Sequence, residues 1–288
     1  MKAIAQKQRR GLSALTLNTP YLFWCLVFVL VPLGMVAFFS FHNAQGEWTL
    51  DVFRALIDTP KARRTLFELF GVSILYALIA TIICLFLAYP LAYYMSHATQ
   101  KTQRNLMTLI MVPMLMNFVI CTYCWVTILA NEHGIIASFL DFLNLPKPKL
   151  LGTPGAVILG MVYNFLPYMI MPLYSVMSKV NPSLVEAAQD LGATGFGVLR
   201  KVTLPLSVPG IISGITMVFV PSVSTFYISQ QLGASKTLLI GDRIEMAFVM
   251  SNDFNTGAAL SLILMLFVVV CMMVMHRFSD GEEGAFVV

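Results

Sequence analysis

The chain alternates between long apolar runs and short polar segments. Six apolar runs are long enough to cross a bilayer, for which an α-helix needs about 20 residues. The segments between them hold most of the charged and helix-terminating residues, and none is long enough to fold as a separate domain. The pattern predicts an all-α membrane protein with six transmembrane helices. The predicted spans are roughly 19–42, 66–96, 106–130, 155–178, 207–229 and 257–277.

Composition supports a single membrane domain. The 288 residues are 58% hydrophobic and 11% charged, whereas a soluble domain carries about 25% charged residues. We therefore expect a transmembrane domain over residues 19–278, between an N-terminal segment 1–18 and a C-terminal tail 279–288. The net charge of +4 is spread along the chain without a Lys/Arg block, which argues against a nucleic-acid partner.

The distribution of basic residues predicts the orientation. The first apolar run is too long for a secretory signal, so we expect it to remain as a membrane span. Basic residues favour the cytoplasmic side, and a cluster precedes this run. Arg63 and Arg64 oppose the assignment, but the balance predicts cytoplasmic N- and C-termini. The N-terminal cluster comprises Lys2, Lys7, Arg9 and Arg10.

The fifth apolar run opens with a pair of glycines, Gly210 and Gly214, four residues apart. Small residues at this spacing let two membrane helices approach closely. We predict a packing role for the pair.

The polar segment 179–206 between the fourth and fifth spans carries helix signals. Asn181 followed by Pro182 is a helix start, and Ser183 with Glu186 is an alternative capping box. Gly192 is placed to end this helix, because glycine accepts a left-handed backbone. Its apolar stripe consists of Leu184, Ala188 and Leu191.

A second short helix is predicted from Thr194 to Leu199. Two short helices at an angle would form a rigid lever between the fourth and fifth spans. The simpler alternative is a surface loop that only caps an amphipathic helix.

Residues 186–205 resemble the cytoplasmic coupling loop of ABC importer permeases. The pattern of that loop is EAA, three residues, glycine, nine residues, then I-x-L-P, and Val202 in place of isoleucine is the only departure. The resemblance implies that these residues couple the permease to an ATPase, with Glu186 pairing with a basic group on it. The matching residues are Glu186, Ala187, Ala188, Gly192, Val202, Leu204 and Pro205.

The similarity extends to neighbouring segments. Residues 153–174 and 209–241 are similar to the B-type permeases of spermidine/putrescine ABC importers. This implies a type I importer fold in the cytoplasmic membrane of a prokaryote. The implied partners are a second related permease, two copies of an ABC ATPase, an extracytoplasmic polyamine-binding protein and the bilayer. Transport would proceed by alternating access, with ATP and Mg on the ATPase and no cofactor on this chain.

A polyamine crossing these spans would meet almost no ionisable side chains. Aromatic faces and neutral oxygens are the available contacts, and each cation–π contact contributes about 0.5–2 kcal/mol. A purely structural role in helix packing is the alternative for each residue. The candidate path residues are Tyr163, Asn164, Tyr168, Ser222, Thr225, Phe226 and Tyr227.

Three acidic residues fall in segments predicted to face outside: Glu132, Asp242 and Glu245. Each is expected on a solvated loop surface. The functional alternative is that they steer cations or hold the binding protein.

Motifs for other chemistry are missing from the sequence. No G-x-x-x-x-G-K-[ST] occurs, so ATP hydrolysis is expected on another polypeptide and the chain is not expected to be an enzyme. Cys121-x-x-Cys124 has no flanking ligands to complete a metal site. Two alternatives stay open: an ABC permease for another small solute or metal complex, and an ion-coupled carrier or membrane enzyme. The second normally needs ionisable groups inside the membrane.

Overall fold

A computed structural model describes residues 19–42, 47–234 and 237–283. The predicted N-terminal segment 1–18, with its basic cluster, and residues 284–288 of the predicted tail lie outside the described residues. Within the described part, the regular elements are helices, and one antiparallel bridge joins His42 to Trp48.

Twelve helices are numbered here along the described chain. They are α1 (Thr19–Ser40), α2 (Asp51–Asp58), α3 (Pro60–His97), α4 (Gln100–Leu115), α5 (Phe118–Leu129), α6 (Ile135–Phe142), α7 (Pro154–Met177), α8 (Pro182–Asp190), α9 (Gly195–Ser224), α10 (Tyr227–Leu232), α11 (Ile240–Glu245) and α12 (Phe254–Glu283).

Five of these helices are long and apolar enough to cross a membrane: α1, α3, α7, α9 and α12. The pair α4 and α5 raises the number to six if it forms one span. The six predicted spans therefore have counterparts, but the third is not the single helix expected over 106–130. Its two halves meet at 90°. The break occurs because Asn117 caps a new helix, its side-chain oxygen accepting hydrogen bonds from the N–H groups of Val119 and Ile120.

The fifth span also differs from its predicted bounds of 207–229. It starts at Gly195 and ends at Ser224, where extended backbone at Thr225 interrupts it. The second loop helix predicted over Thr194–Leu199 forms at Gly195–Val198, but it is not separate. It continues through a π-helical turn, Leu199–Thr203, into the span and so forms the first turns of α9. Thr194 caps this longer helix through a bond from the N–H of Gly197.

Close packing of α3 against α7 forms the centre of the bundle. One face of α3 presents small residues at helical spacing, and all of them are fully buried. Such residues let helix backbones approach closely in a membrane, where no water drives association. The small residues are Ala77, Ala80, Cys84, Ala88 and Ala92. The last four share a buried core with larger residues of α7, including Val157, Met161 and Met169, whereas Ala77 belongs to a second core with Val223 and Ile240.

The predicted packing role of the glycine pair is confirmed. A Cβ on Gly214 would lie 2.6 Å from the sulfur of Met169, and one on Gly210 would lie 3.1 Å from the carbonyl oxygen of Pro172. Both neighbours are on α7, so the glycines bring α9 against that helix.

The lengths of α7 and α9 define two ends of the bundle. Residues 178–194 connect the end of α7 to the start of α9 at one end, called the loop end. At the other end, called the far end, residues 225–234 and 237–245 form a unit that we call the clasp, and the N–H of Gly152 before α7 bonds to the carbonyl of Leu232 within it. The 24 residues of α7 place the two ends about 36 Å apart.

Candidate functional site

The loop end carries the predicted helix, with the predicted start and stop. The side-chain oxygen of Asn181 accepts a hydrogen bond from the N–H of Ser183 at 3.1 Å, and Pro182 occupies the first turn of α8. Gly192 follows α8 with φ +81°, a left-handed conformation that other residues rarely adopt. Asn181, rather than Ser183, therefore caps this helix.

The outer surface of α8 is exposed although part of it is apolar. Leu191 is 90% exposed and Leu184 is also exposed, whereas Ala188 of the same predicted stripe is half-buried. Glu186 and Ala187 are exposed, and Glu186 has no side-chain partner among the described residues. An exposed leucine beside a free carboxylate and a small alanine is a surface suited to docking another protein.

The remaining loop residues connect α8 directly to the membrane. Val198 is buried and anchors the first turn of α9, while Val202 is half-buried and Leu204 and Pro205 are exposed. Because α9 continues unbroken from Gly195 to Ser224, a displacement of α8 acts on a 30-residue helix. The two loop helices predicted from the sequence are thus α8 and the first turns of α9.

The clasp at the far end is held by close backbone contacts. The N–H of Ile240 donates a 2.8 Å hydrogen bond to the hydroxyl of Ser73 on α3. A Cβ on Gly160 of α7 would lie 2.3 Å from a methyl of Leu232, so that glycine makes room for α10. These contacts fix α10 and α11 against the second and fourth spans.

Asp242 lies inside the clasp, and the expectation of a solvated loop surface was wrong for it. The residue is 1% exposed. Its carboxylate accepts hydrogen bonds from the Ser229 hydroxyl at 2.9 Å and from the N–H of Leu239 at 2.6 Å. Burial raises the pKa of the Asp242 carboxyl from 3.8 to about 6, although these hydrogen bonds oppose the rise.

An Asp242→Asn substitution is expected to remove a pH-dependent part of the stability. The Asp242 pKa is higher in the folded protein, so between pH 3.8 and 6 the folded protein binds more protons than the unfolded chain. The stability of the wild type therefore falls as the pH rises through this window. One pKa unit corresponds to about 1.4 kcal/mol. When the pH is lowered from 7 to 5, the free energy of unfolding of the wild type should therefore rise by about 1 kcal/mol relative to that of Asp242→Asn.

Melting curves of both proteins in detergent, recorded from pH 5 to pH 7, measure this difference. Asparagine can keep the local bonds, because its oxygen can accept from Leu239 while its NH2 donates to Ser229. Parallel pH profiles for the two proteins would contradict the assignment.

The predicted path residues occupy different environments. Asn164 donates to the carbonyl of Gly160 within α7 at 2.8 Å, and Tyr168 is exposed. Ser222 and Thr225 are buried inside the chain, and the Ser222 hydroxyl donates to the Val218 carbonyl. Their burial favours the packing alternative for these two residues.

The structure also brings aromatic residues together that the sequence did not single out. Tyr163 meets Trp125 edge-on with ring centroids 5.3 Å apart. Tyr227 lies 6.0 Å from Phe118 and 6.3 Å from Tyr123. The three partners are on α5, whose direction after the 90° break could not be read from the apolar run.

A cavity of about 550 Å³ opens at the far end between α9, α12 and the clasp. Its wall is mainly apolar, and it brings the predicted path residue Phe226 together with the predicted acid Glu245. Phe248 adds a second aromatic ring. Glu245 accepts a 2.9 Å hydrogen bond from the side-chain amide of Gln230 and makes no ion pair among the described residues. Glu132 is exposed elsewhere at this end.

These features define a class. The chain is a polytopic α-helical membrane protein with an exposed short helix between its fourth and fifth spans and a cavity at the opposite end. Such an arrangement is typical of a permease driven by another subunit.

Comparisons with known proteins agree with this class. Residues 136–281 match the family model described as "Binding-protein-dependent transport system inner membrane component". The spermidine/putrescine transport system permease protein PotB of Escherichia coli (strain K12) is 36% identical, over 89% of this chain and 94% of that protein. PotB of Haemophilus influenzae is 35% identical, over 88% and 90%.

The fold is also similar to a solved structure. A chain of a bacterial ABC transporter that imports alginate superposes with a TM-score of 0.75 at 18% identity, covering 96% of this chain and 98% of that one. This confirms the type I importer permease fold.

The chain belongs to the family of binding-protein-dependent transport system inner membrane components, in which PotB is among its relatives. It is a multi-pass inner-membrane permease subunit of an ABC importer and is not an enzyme. A permease of this class acts with a partner permease, an ATPase and a binding protein.

Proposed function

We propose that this permease imports polyamines, with spermidine and putrescine as its cargo, in an ATP-driven complex. The support is the similarity to PotB proteins across most of both chains. In the proposed complex it pairs with a second related permease, two copies of an ABC ATPase and an extracytoplasmic polyamine-binding protein.

The observation that carries the mechanism is the exposed α8. Leu191 remains 90% exposed, which fits a surface that an ATPase covers. When the ATPases close on ATP, α8 would move with them and turn α9, opening the permease pair outward. Hydrolysis would reset the inward-facing state. The two effects are thermodynamically linked. If closure of the ATPases on ATP favours the outward-open form, docking of a loaded binding protein favours that closure equally. The coupling residues are Glu186, Ala187, Ala188, Gly192, Val202, Leu204 and Pro205.

This mechanism places the loop end in the cytoplasm. The basic cluster at the N-terminus favours the same orientation, with both termini cytoplasmic. The clasp and its cavity then face the side from which the binding protein delivers cargo.

We assign the aromatic residues Tyr163, Tyr168, Phe226 and Tyr227 to the path, because a cation–π contact is strong enough to guide an ammonium group and weak enough to release it. The acids Glu132 and Glu245 would attract the cation to the far end. Asp242 instead holds the clasp from within.

Reconstitution tests the cargo. Proteoliposomes containing both permeases and the ATPase, with loaded binding protein outside and ATP inside, should take up labelled spermidine. Unlabelled putrescine should compete, whereas molybdate should not. Uptake of molybdate without uptake of either amine would overturn the polyamine assignment.

A Glu245→Gln substitution is expected to weaken cargo entry. Glu245 is a carboxylate in a mainly apolar cavity with no cationic partner among the described residues, so an ammonium group would complete its interactions. A hydrogen bond to a charged group contributes about 1.5–3 kcal/mol. Uptake at subsaturating spermidine should fall about tenfold or more, with a smaller change at saturation.

The control is Asp141→Asn, which removes one negative charge from an exposed residue of α6 that pairs with Lys147 at 2.9 Å. Its uptake should match that of the wild type. If Glu245→Gln behaves like this control, the cavity is not part of the path.

A further inference from the structure

A second cavity, of about 680 Å³, lies at the loop end between the first turns of α4 and the last turns of α7. The Tyr174 hydroxyl of α7 donates a 3.0 Å hydrogen bond to the Gln103 side chain of α4, which joins the two walls. Tyr174 is three residues before the end of α7 at Met177, so this cavity is beside the origin of the coupling loop.

The charges in this cavity are of one sign. Lys101 and Arg104 are exposed in its wall, and no acidic residue lines it. The ion pairs among the described residues involve Arg54, Arg64 and Lys147, so neither cation of this cavity has an ionic partner there. Two unpaired cations one helical turn apart select an anion.

The wall changes from charged to apolar along α4. Lys101 and Arg104 are near the start of the helix, and Met107 and Met111 follow on the same face, at three- to four-residue spacing. Lys101 and Met111 are about 15 Å apart along the axis. The pair α4 and α5 is apolar enough to enter a membrane, either as one broken span or as a re-entrant loop, so we expect the apolar part of the wall to extend into the bilayer. An acidic side chain of a protein would occupy the charged part alone, whereas an amphiphile matches the whole wall.

We propose that this cavity binds an anionic phospholipid from the leaflet on the loop side. Lys101 and Arg104 hold the phosphate, and an acyl chain lies along Met107 and Met111. The bound lipid ties α4 to α7 where the coupling loop begins. Basic pockets between membrane helices are suited to anionic headgroups in this way.

Native mass spectrometry of the purified complex tests the site, with phosphatidylglycerol, phosphatidylcholine and glycerol phosphate as separate probes. Phosphatidylglycerol should bind in preference to phosphatidylcholine. The double substitution Lys101→Gln/Arg104→Gln should weaken phosphatidylglycerol binding about tenfold or more. The charge-preserving pair Lys101→Arg/Arg104→Lys should retain it, which separates loss of the site from loss of folding.

Lys61→Gln/Arg63→Gln is the charge-matched control, since both residues are exposed at the start of α3 and outside the cavity. It should leave the phosphatidylglycerol preference unchanged. Glycerol phosphate binding as tightly as the lipid would show a site for the phosphate alone and overturn the lipid assignment. Loss of the ATPase from Lys101→Gln/Arg104→Gln without any change in lipid binding would overturn it in favour of a protein partner.

Discussion

Replacing Leu191 with aspartate is expected to detach the ATPase and abolish ATP-driven uptake. Covering a leucine side chain contributes about 1.5–3 kcal/mol to association, and burying a carboxylate in its place adds a further penalty. The combined loss of about 3–5 kcal/mol corresponds to roughly two to four orders of magnitude in affinity. Leu191 is 90% exposed in the permease, so the permease itself should fold with unchanged stability.

Co-purification of the ATPase with tagged permease measures this effect. The matched control is Leu145→Asp, which makes the same change at an exposed leucine in the segment before α7, at the far end. That variant should retain the ATPase. An ATPase retained equally by Leu191→Asp would show that α8 is not the docking surface.

The Gly241→Ala substitution should destabilise the protein strongly. A Cβ there would lie 2.6 Å from the carbonyl oxygen of Thr225 and 2.7 Å from that of Ser224. Both atoms are backbone, so no side-chain rotation relieves the contact, and α11 has to shift away from the end of α9 and the residue that follows it. Overpacking of this kind costs about 1–3 kcal/mol, and the displacement also strains the bonds of Ile240 and Asp242. We expect a melting temperature lower by roughly 5–10 °C.

Gly71→Ala is the control, because it adds the same methyl group inside α3 where nothing lies within 4 Å. Alanine is favoured over glycine in a helix by about 1 kcal/mol, so this variant should melt at the same temperature or slightly higher. Equal melting temperatures for Gly241→Ala and the wild type would contradict the close contact between the clasp and α9.

Residues with local physical signals could be predicted from the sequence. Asn181, Pro182 and Gly192 specify the bounds of α8 through capping and a left-handed turn, which depend on neighbouring residues alone. Gly210 and Gly214 indicated a close helix contact because small residues four positions apart are typical of membrane helices that approach closely. The apolar runs placed six spans because their lengths match the bilayer.

Features that depend on distant contacts were missed. The burial of Asp242 arises from Ser229 and Leu239 folding around it, and a lone acid between apolar runs looks the same as a solvated one. The 90° break at Asn117 was hidden because the apolar run continues through it. The continuity of α9 was missed because the apolar run that predicted the fifth span begins only at residue 207, although the helix itself starts at Gly195.

Labelling of a Leu191→Cys variant with a membrane-impermeant maleimide tests the central claim that α8 receives force from a cytoplasmic ATPase. The native protein supplies the background from its five cysteines. Added labelling should be absent in spheroplasts and strong in inside-out vesicles stripped of the ATPase, and restoring the ATPase should protect the cysteine. Added labelling in spheroplasts, or labelling that bound ATPase leaves unchanged, would contradict the central claim.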